Sequence, residues 1–190
     1  MTERFTVDDG HDRRLARSAA GLLATFNAAG VLEAADVHVA GRLAAMVGEA
    51  DEAVRLAVAL AVRAVRRGSV CVDLAEVVGA ESLGEDEAAL PWPTLDGWLD
   101  RVAASAFTSA SVTRVEGGLL YLDRYWREEG QVRDDLVARA AQPAPHVDAA
   151  VLDDGVARIF PDGYAEQRDA ARAAARRWTT VLTGGPGTGK

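Results

Sequence analysis

A chain of 190 residues, 49% hydrophobic and 26% charged, has the make-up of one folded domain, or of one domain and the start of another, and not of a disordered segment. Its 29 acidic and 21 basic residues leave a net charge of −8, which argues against a nonspecific nucleic-acid grip, because such grips cluster positive charge. The single Cys71 excludes an internal disulfide, and no secretory leader or bilayer-length apolar run is legible, so no membrane association and a cytoplasmic location are expected.

The first expected element is a helix over 12–29, which Asp12 can cap and Gly30 can stop, with Leu15, Leu22, Leu23 and Phe26 near one face. A second runs from about Asp36 to Val47, its Val39, Leu43, Met46 and Val47 spaced as one apolar face, closed by Gly48. The third has the strongest pattern. Asp51 caps it, and Val54, Ala57, Val58, Ala61, Val62 and Val65 form a continuous stripe that ends before Gly68. Val70–Val72 reads as a short extended piece, and Asp73 as the start of another helical turn. Gly79, Gly84, Pro91 and Pro93 mark 79–93 as a loop, whose acids Glu81, Glu85, Asp86 and Glu87 read as solvated surface. Thr94 then caps a helix carrying Leu95, Trp98, Leu99 and Val102.

From residue 111 the period shortens. Ser111–Val115, the pair Gly117-Gly118 and Leu119–Leu122 read as a β-hairpin. A helix follows from about Asp123, with Tyr125, Trp126, Val132 and Leu136 as its apolar side. Gln142-Pro143-Ala144-Pro145 ends it and is the best linker candidate. Beyond come a short segment at Val151–Phe160, a helix from about Tyr164 to Trp178, and the β-branched run Thr179–Thr183 as a strand. The expected fold class is therefore mainly α: a helical N-terminal domain with a small β-hairpin, then the first strand of a truncated P-loop (RecA-like) α/β motor. The expected division is a helical partner-binding domain over 1–110, a hairpin-and-helix connection over 111–143, and the start of the motor over 144–190.

The chemistry concentrates after that strand. Gly184-Gly185-Pro186-Gly187-Thr188-Gly189-Lys190 spells G-x-x-x-x-G-K, the loop that cradles nucleotide phosphates with backbone N–H groups. Lys190 is the only lysine; every other one of the 21 basic residues is arginine, and a compact ammonium is what must reach the β- and γ-phosphates. The loop points to nucleotide binding, not to a particular nucleotide or task. Gln167, seventeen residues before Gly184, either pairs with both the amine and N7 of adenine or faces solvent as an ordinary helix residue. Phe160 and Tyr164 either stack on a base or pack. Arg168, Arg172 and Arg176 share a helical face that reads as solvated surface rather than a DNA stripe. His11, His38 and His146 are scattered, so no metal site is expected, and no nucleophile signature or catalytic carboxylate pair is found.

With these residues quoted, the chain resembles the N-terminal part of the RecD family, the alpha subunits of bacterial RecBCD (exodeoxyribonuclease V). The resemblance is carried by Phe26–Leu32, Ala35–Ala40, Gly68–Leu74, Leu119–Trp126 with Glu128-Glu129, Phe160-Pro161, Gln167-Arg168 and Leu182–Lys190. It covers nearly the whole chain. It implies an ATP-dependent superfamily 1 helicase moving 5′ to 3′ on DNA in double-strand break repair, working with RecB and RecC, the helical domain docking on RecC. It implies that Gln167 reads adenine and that Gly184, Gly185, Pro186, Gly187, Thr188, Gly189 and Lys190 hold the ATP phosphates. The family's magnesium-binding hydroxyl, arginine finger and DNA-contacting motifs have no counterpart within these residues, so no catalytic residue is expected here. The 190-residue polypeptide alone is expected not to hydrolyse ATP, and its last strand is expected to fray without sheet neighbours. Two other readings stand beside this one. A stand-alone superfamily 1 helicase would not copurify with RecB and RecC, and an interaction module with a vestigial P-loop would have no helicase sequence downstream.

Overall fold

The computed structural model describes Phe5, residues 11–81, 90–185 and Gly187, with only the backbone of Glu81. The chain falls into two compact units, Met1–Glu129 and Gly130–Lys190.

The first unit is built around one helix. Successive elements are α1 (Gly21–Ala28), α2 (Ala34–Val47), α3 (Glu52–Arg66), β1 (Cys71–Val72), α4 (Leu74–Glu81), α5 (Trp98–Ala103), α6 (Ala106–Ser109), β2 (Thr113–Glu116) and β3 (Leu119–Leu122). The next helix, α7 (Asp123–Ala140), contains the division between the units. Asp51 caps α3 as expected, its carboxylate accepting from the Ala53 and Val54 N–H groups at 2.8 and 3.3 Å. α3 packs against α1, α2, α5, β1 and β3, so Ala53, Val54 and the run Leu56–Ala61 are all buried rather than a single stripe. Helices buried on nearly every side belong to the middle of a core. Trp98 and Phe107 close over it, both fully buried, and the Trp98 indole N–H donates to the Ala53 carbonyl at 2.8 Å. Each such side chain contributes roughly 1.5–3 kcal/mol through burial.

The first expected helix is shorter than its pattern. It starts at Gly21, not near Asp12. Asp12 instead holds Arg14, accepting from its backbone N–H at 2.8 Å and from its guanidinium at 2.6–3.1 Å, a pairing that holds the Asp12 carboxyl down at about 2. The Ala16 N–H donates to the buried Asn27 side chain at 2.7 Å. Polar side chains thus take the backbone groups that a helix would have used. At Gly21 φ is +59°, a left-handed conformation that favours glycine.

The second helix has the expected extent, and Gly48 closes it in the left-handed conformation, but only half of its expected face turns inward: Leu43 and Val47 pack partly buried against the core. Asp36, Val37, Ala40 and Ala44 face inward, whereas Val39 and Met46 are exposed, Met46 by 70%. Small side chains at 40 and 44 let α2 lie close to α3, and Val39 and Met46 are left outside that contact. Asp36, fully buried, accepts from Arg66 of α3 at 3.0 and 2.9 Å and from the Glu33 N–H at 2.8 Å. Arg66 also reaches Glu33 at 2.8 Å, so α2 and α3 are locked by one three-charge cluster.

Asp73 starts α4 as expected, accepting from Ala75 and Glu76 N–H at 2.8 and 3.1 Å. α4 extends to Glu81, into the expected loop, and the acids Glu85, Asp86 and Glu87 lie outside the described residues. Thr94 does not cap the next helix. Gly97, in the left-handed conformation, precedes α5, and Leu95 is exposed. The four-residue α6, capped by Ser105, is too short to have left a periodic signature.

The hairpin forms as read. β2 and β3 pair antiparallel with Thr113 opposite Leu122 and Glu116 opposite Leu119. Gly117 and Gly118 both have positive φ, which a tight two-residue connection needs. β1 adds to the far side of β3, with Cys71 opposite Tyr121, completing a three-stranded antiparallel sheet in the order β1-β3-β2. At the start of α7 the buried Asp123 carboxylate holds Arg114 and Arg127, both at 2.7 Å, tying the hairpin to the helix.

The Gly130–Lys190 unit contains the rest of α7, then α8 (Ala149–Ile159) and α9 (Ala165–Ala175). Gln142–Pro145 ends α7 as expected. Asp148 caps α8 through Ala150 and Val151 N–H at 2.9 and 3.1 Å, and Arg172 of α9 reaches Asp153 of α8 at 2.8 Å. Of the expected apolar side of α7, Tyr125 and Trp126 are half-buried, whereas Val132 and Leu136 are exposed. Val156 is the only buried side chain among the described residues of this unit. The run Thr179–Thr183 forms no strand; it has no ladder partner among the described residues, and Val181 and Leu182 are exposed. Extended backbone needs neighbours for its N–H and C=O groups, and none is provided there. No helix among the described residues is long and apolar enough to cross a membrane.

Candidate nucleotide-binding segment

The residues expected to meet a nucleotide lie on α9 and in the segment that follows it. Gln167 is the third residue of α9, half-buried in its first turn. Tyr164, just before that helix, is half-exposed, and Phe160 at the end of α8 is partly buried. Arg168 donates to the Phe160 carbonyl at 2.8 Å and pairs with Asp162 at 3.1 Å, which turns the link between α8 and α9 back onto α9. Arg172 is held by Asp153 and, more weakly, by Asp169, and its pKa is raised chiefly by the Asp153 hydrogen bond. Arg168 and Arg172 are therefore committed to carboxylates, in keeping with a solvated helix face.

Gly184, Gly185 and Gly187 lie beyond Thr183, outside any helix or strand, and all three are exposed. Gly187 has φ +80°, a left-handed conformation that glycine adopts at no steric cost. Pro186, Thr188, Gly189 and Lys190 lie outside the described residues. Among the described residues no strand is hydrogen-bonded behind the glycine loop.

A feature the sequence reading missed lies in the same unit. A cavity of about 410 Å³ is lined by Arg139, Gln142, Arg176, Arg177, Trp178 and Thr179, among others. The Trp178 indole N–H donates to the Pro143 carbonyl at 2.8 Å, and the Thr179 Oγ1, buried, has no hydrogen-bond partner. The signal available was the triplet Arg176-Arg177-Trp178, which helical periodicity alone assigns to surface. Among the described residues no cluster of three or more His, Cys, Asp or Glu side chains is arranged to hold a metal ion.

The helical unit with its small antiparallel sheet falls in a known class, the N-terminal domain of a subunit of a multisubunit enzyme. Residues 28–116 match the family described as "RecBCD enzyme subunit RecD, N-terminal domain". Over 181 residues the chain is 51% identical to the RecBCD enzyme subunit RecD of Mycobacterium tuberculosis, covering 94% of this chain and 30% of that protein. It is 54% identical over 162 residues to the RecD subunit of Mycolicibacterium smegmatis, covering 84% of this chain and 27% of the relative. The resemblance read from Phe26–Leu32, Gly68–Leu74 and Leu119–Trp126 is borne out, and the chain spans less than a third of the length of the curated relatives it matches.

Proposed function

We propose that this chain is the N-terminal part of a RecD-type subunit of an ATP-dependent DNA helicase and exonuclease complex that acts at double-strand ends. The observation that carries the reading is the identity of 51–54% to RecD subunits across most of the chain, coupled to a loop sequence of nucleotide triphosphatases. In this reading the Met1–Glu129 unit is the partner-binding module, engaging RecC in a complex that also holds RecB. Its negative net charge and apolar core suit protein contact better than a grip on DNA. Gly184–Lys190 would hold the ATP phosphates, Gln167 would read adenine, and magnesium would sit with the β- and γ-phosphates; DNA would be moved by motor segments outside these residues.

Coexpression of a tagged chain with the RecB and RecC of the same organism tests the partner half. Copurification of all three is expected, and a chain that elutes alone while RecB and RecC remain associated would sink it. The nucleotide half is tested in the assembled complex. Lys190→Ala removes a charge-assisted phosphate contact worth about 1.5–3 kcal/mol, so affinity for a fluorescent ATP analogue should drop by about tenfold or more. Unchanged affinity would leave the loop without its assigned role.

A further inference from the structure

The cavity in the Gly130–Lys190 unit gathers three guanidinium groups, Arg139 from α7 and Arg176 and Arg177 from the end of α9. Among the described residues none of the three has an ion-pair partner, although acidic residues outnumber basic ones by 29 to 21. Elsewhere in the unit Arg133, Arg168 and Arg172 are each paired and Arg158 is not, but among the described residues it is at this cavity that three unpaired guanidinium groups line one space. Like charges brought around one space repel, and an anion between them removes that repulsion. Beside them stands Trp178, 61% exposed, its ring orientation fixed by the bond to Pro143. The Thr179 hydroxyl, without a partner, adds a donor.

We propose that this cavity is a nucleotide site separate from the glycine loop, in which Arg139, Arg176 and Arg177 take a phosphate and the Trp178 ring stacks on the base. Guanidinium forks match phosphate oxygens two at a time, and an aromatic face accepts any base. An acidic peptide would use the arginines and leave the indole idle. The cavity volume of about 410 Å³ lies within the range of small-molecule sites, about 300–1,000 Å³. The described loop residues Gly184, Gly185 and Gly187 are not among its lining, and the site does not depend on the loop's binding ATP. The shared chemistry is a phosphate next to a planar base, supplied by a free mononucleotide or by one unit of a single strand.

The test is fluorescence anisotropy on the 190-residue chain, with a labelled deoxythymidine strand of about 15 nucleotides and, separately, labelled AMP. Either probe should bind, the strand with an affinity that falls as salt rises, and the tighter probe identifies the source. The double variant Arg176→Ala/Arg177→Ala should weaken binding by at least about tenfold, and Arg139→Gln on the opposite wall should weaken it in the same direction. Arg158→Ala, an arginine of the same unit outside the cavity lining, should leave it unchanged, which ties the effect to this cavity. Far-UV circular dichroism checks that the variants keep their helix content. Absence of binding by both probes, binding that the arginine variants leave intact, or equal binding of poly-glutamate would overturn the proposal.

Discussion

Asn27 joins three separate pieces of backbone while only 3% exposed. Its side-chain oxygen accepts from the Ala16 N–H at 2.7 Å, and its amide donates to the carbonyls of Arg14 at 2.8 Å and Leu32 at 2.7 Å. Asn27→Ala would strand the Ala16 N–H and the Leu32 carbonyl where water is scarce, while the Arg14 carbonyl keeps the Ala34 N–H at 2.7 Å; the cost is about 1–3 kcal/mol for each group that stays unsatisfied. A net loss of about 2–4 kcal/mol is expected, read as a lower urea midpoint at unchanged slope. A loss under about 0.5 kcal/mol would mean that water reaches those groups. Periodicity could not have found this residue, because a polar side chain on an apolar face scores as an interruption.

Tyr121 has a second residue-scale consequence. Burial, first, and then the neighbouring Cys71 and Glu129 push its phenol up to about 12. A raised folded-state value means the neutral phenol is favoured by folding. The associated stability is fully present below the unfolded value near 10 and is lost as pH rises from there through about 12. In an ultraviolet titration of the three tyrosines, one should ionise last, and Tyr121→Phe should abolish that step. A late step that survives the substitution would assign it to Tyr125 or Tyr164 instead.

At the level of elements, the outcome turned on which face met which neighbour. The extent of α2 and α3 and the position of the hairpin were legible, because caps, glycine stops and a Gly-Gly turn are local signals. The buried face of α2 was only partly legible, since Leu43 and Val47 pack on the core as their spacing suggests and Val39 and Met46 do not. Hydrophobicity favours Val39 and Met46, but close packing on α3 selects Ala40 and Ala44. Ala40→Leu should therefore overpack that contact and cost about 1–3 kcal/mol, while Met46→Lys should cost less than about 0.5 kcal/mol. Thermal melts of the two variants decide the matter, and a reversed order would restore the face that hydrophobicity suggests. The triad of Asp36, Arg66 and Glu33 follows the same logic: its members are 30 and 33 residues apart, and only helix packing makes them neighbours.

On the scale of the whole molecule, the two units differ in kind. Met1–Glu129 has a continuous core that includes Phe26, Leu56, Leu60, Trp98, Phe107 and Leu120. Of the described residues in Gly130–Lys190, Val156 alone is buried. A polypeptide of residues 1–140, which keeps α7 whole, should unfold cooperatively near the midpoint of the full chain. Residues 130–190 alone should show a broad, non-cooperative transition, since entropy of about 1–2 kcal/mol per residue goes uncompensated without a core. Calorimetry on both pieces checks this, and a sharp transition in the smaller one would contradict it.

The amino-acid order alone determined the helix-rich character, the hairpin with its tight turn, the stop at Gln142–Pro145, the glycine loop ending in the lone lysine, and the likeness to RecD. Each rests on residues adjacent or nearly adjacent in the chain. Tertiary structure decided what depends on partners far along it: the third strand on the sheet, the inward face of α2, the Asn27 junction and the unpaired arginines around one cavity. It also left Thr179–Thr183 without a ladder. A β-branched run expresses a preference for extended backbone, but a strand exists only where a neighbour supplies the opposite half of each hydrogen bond.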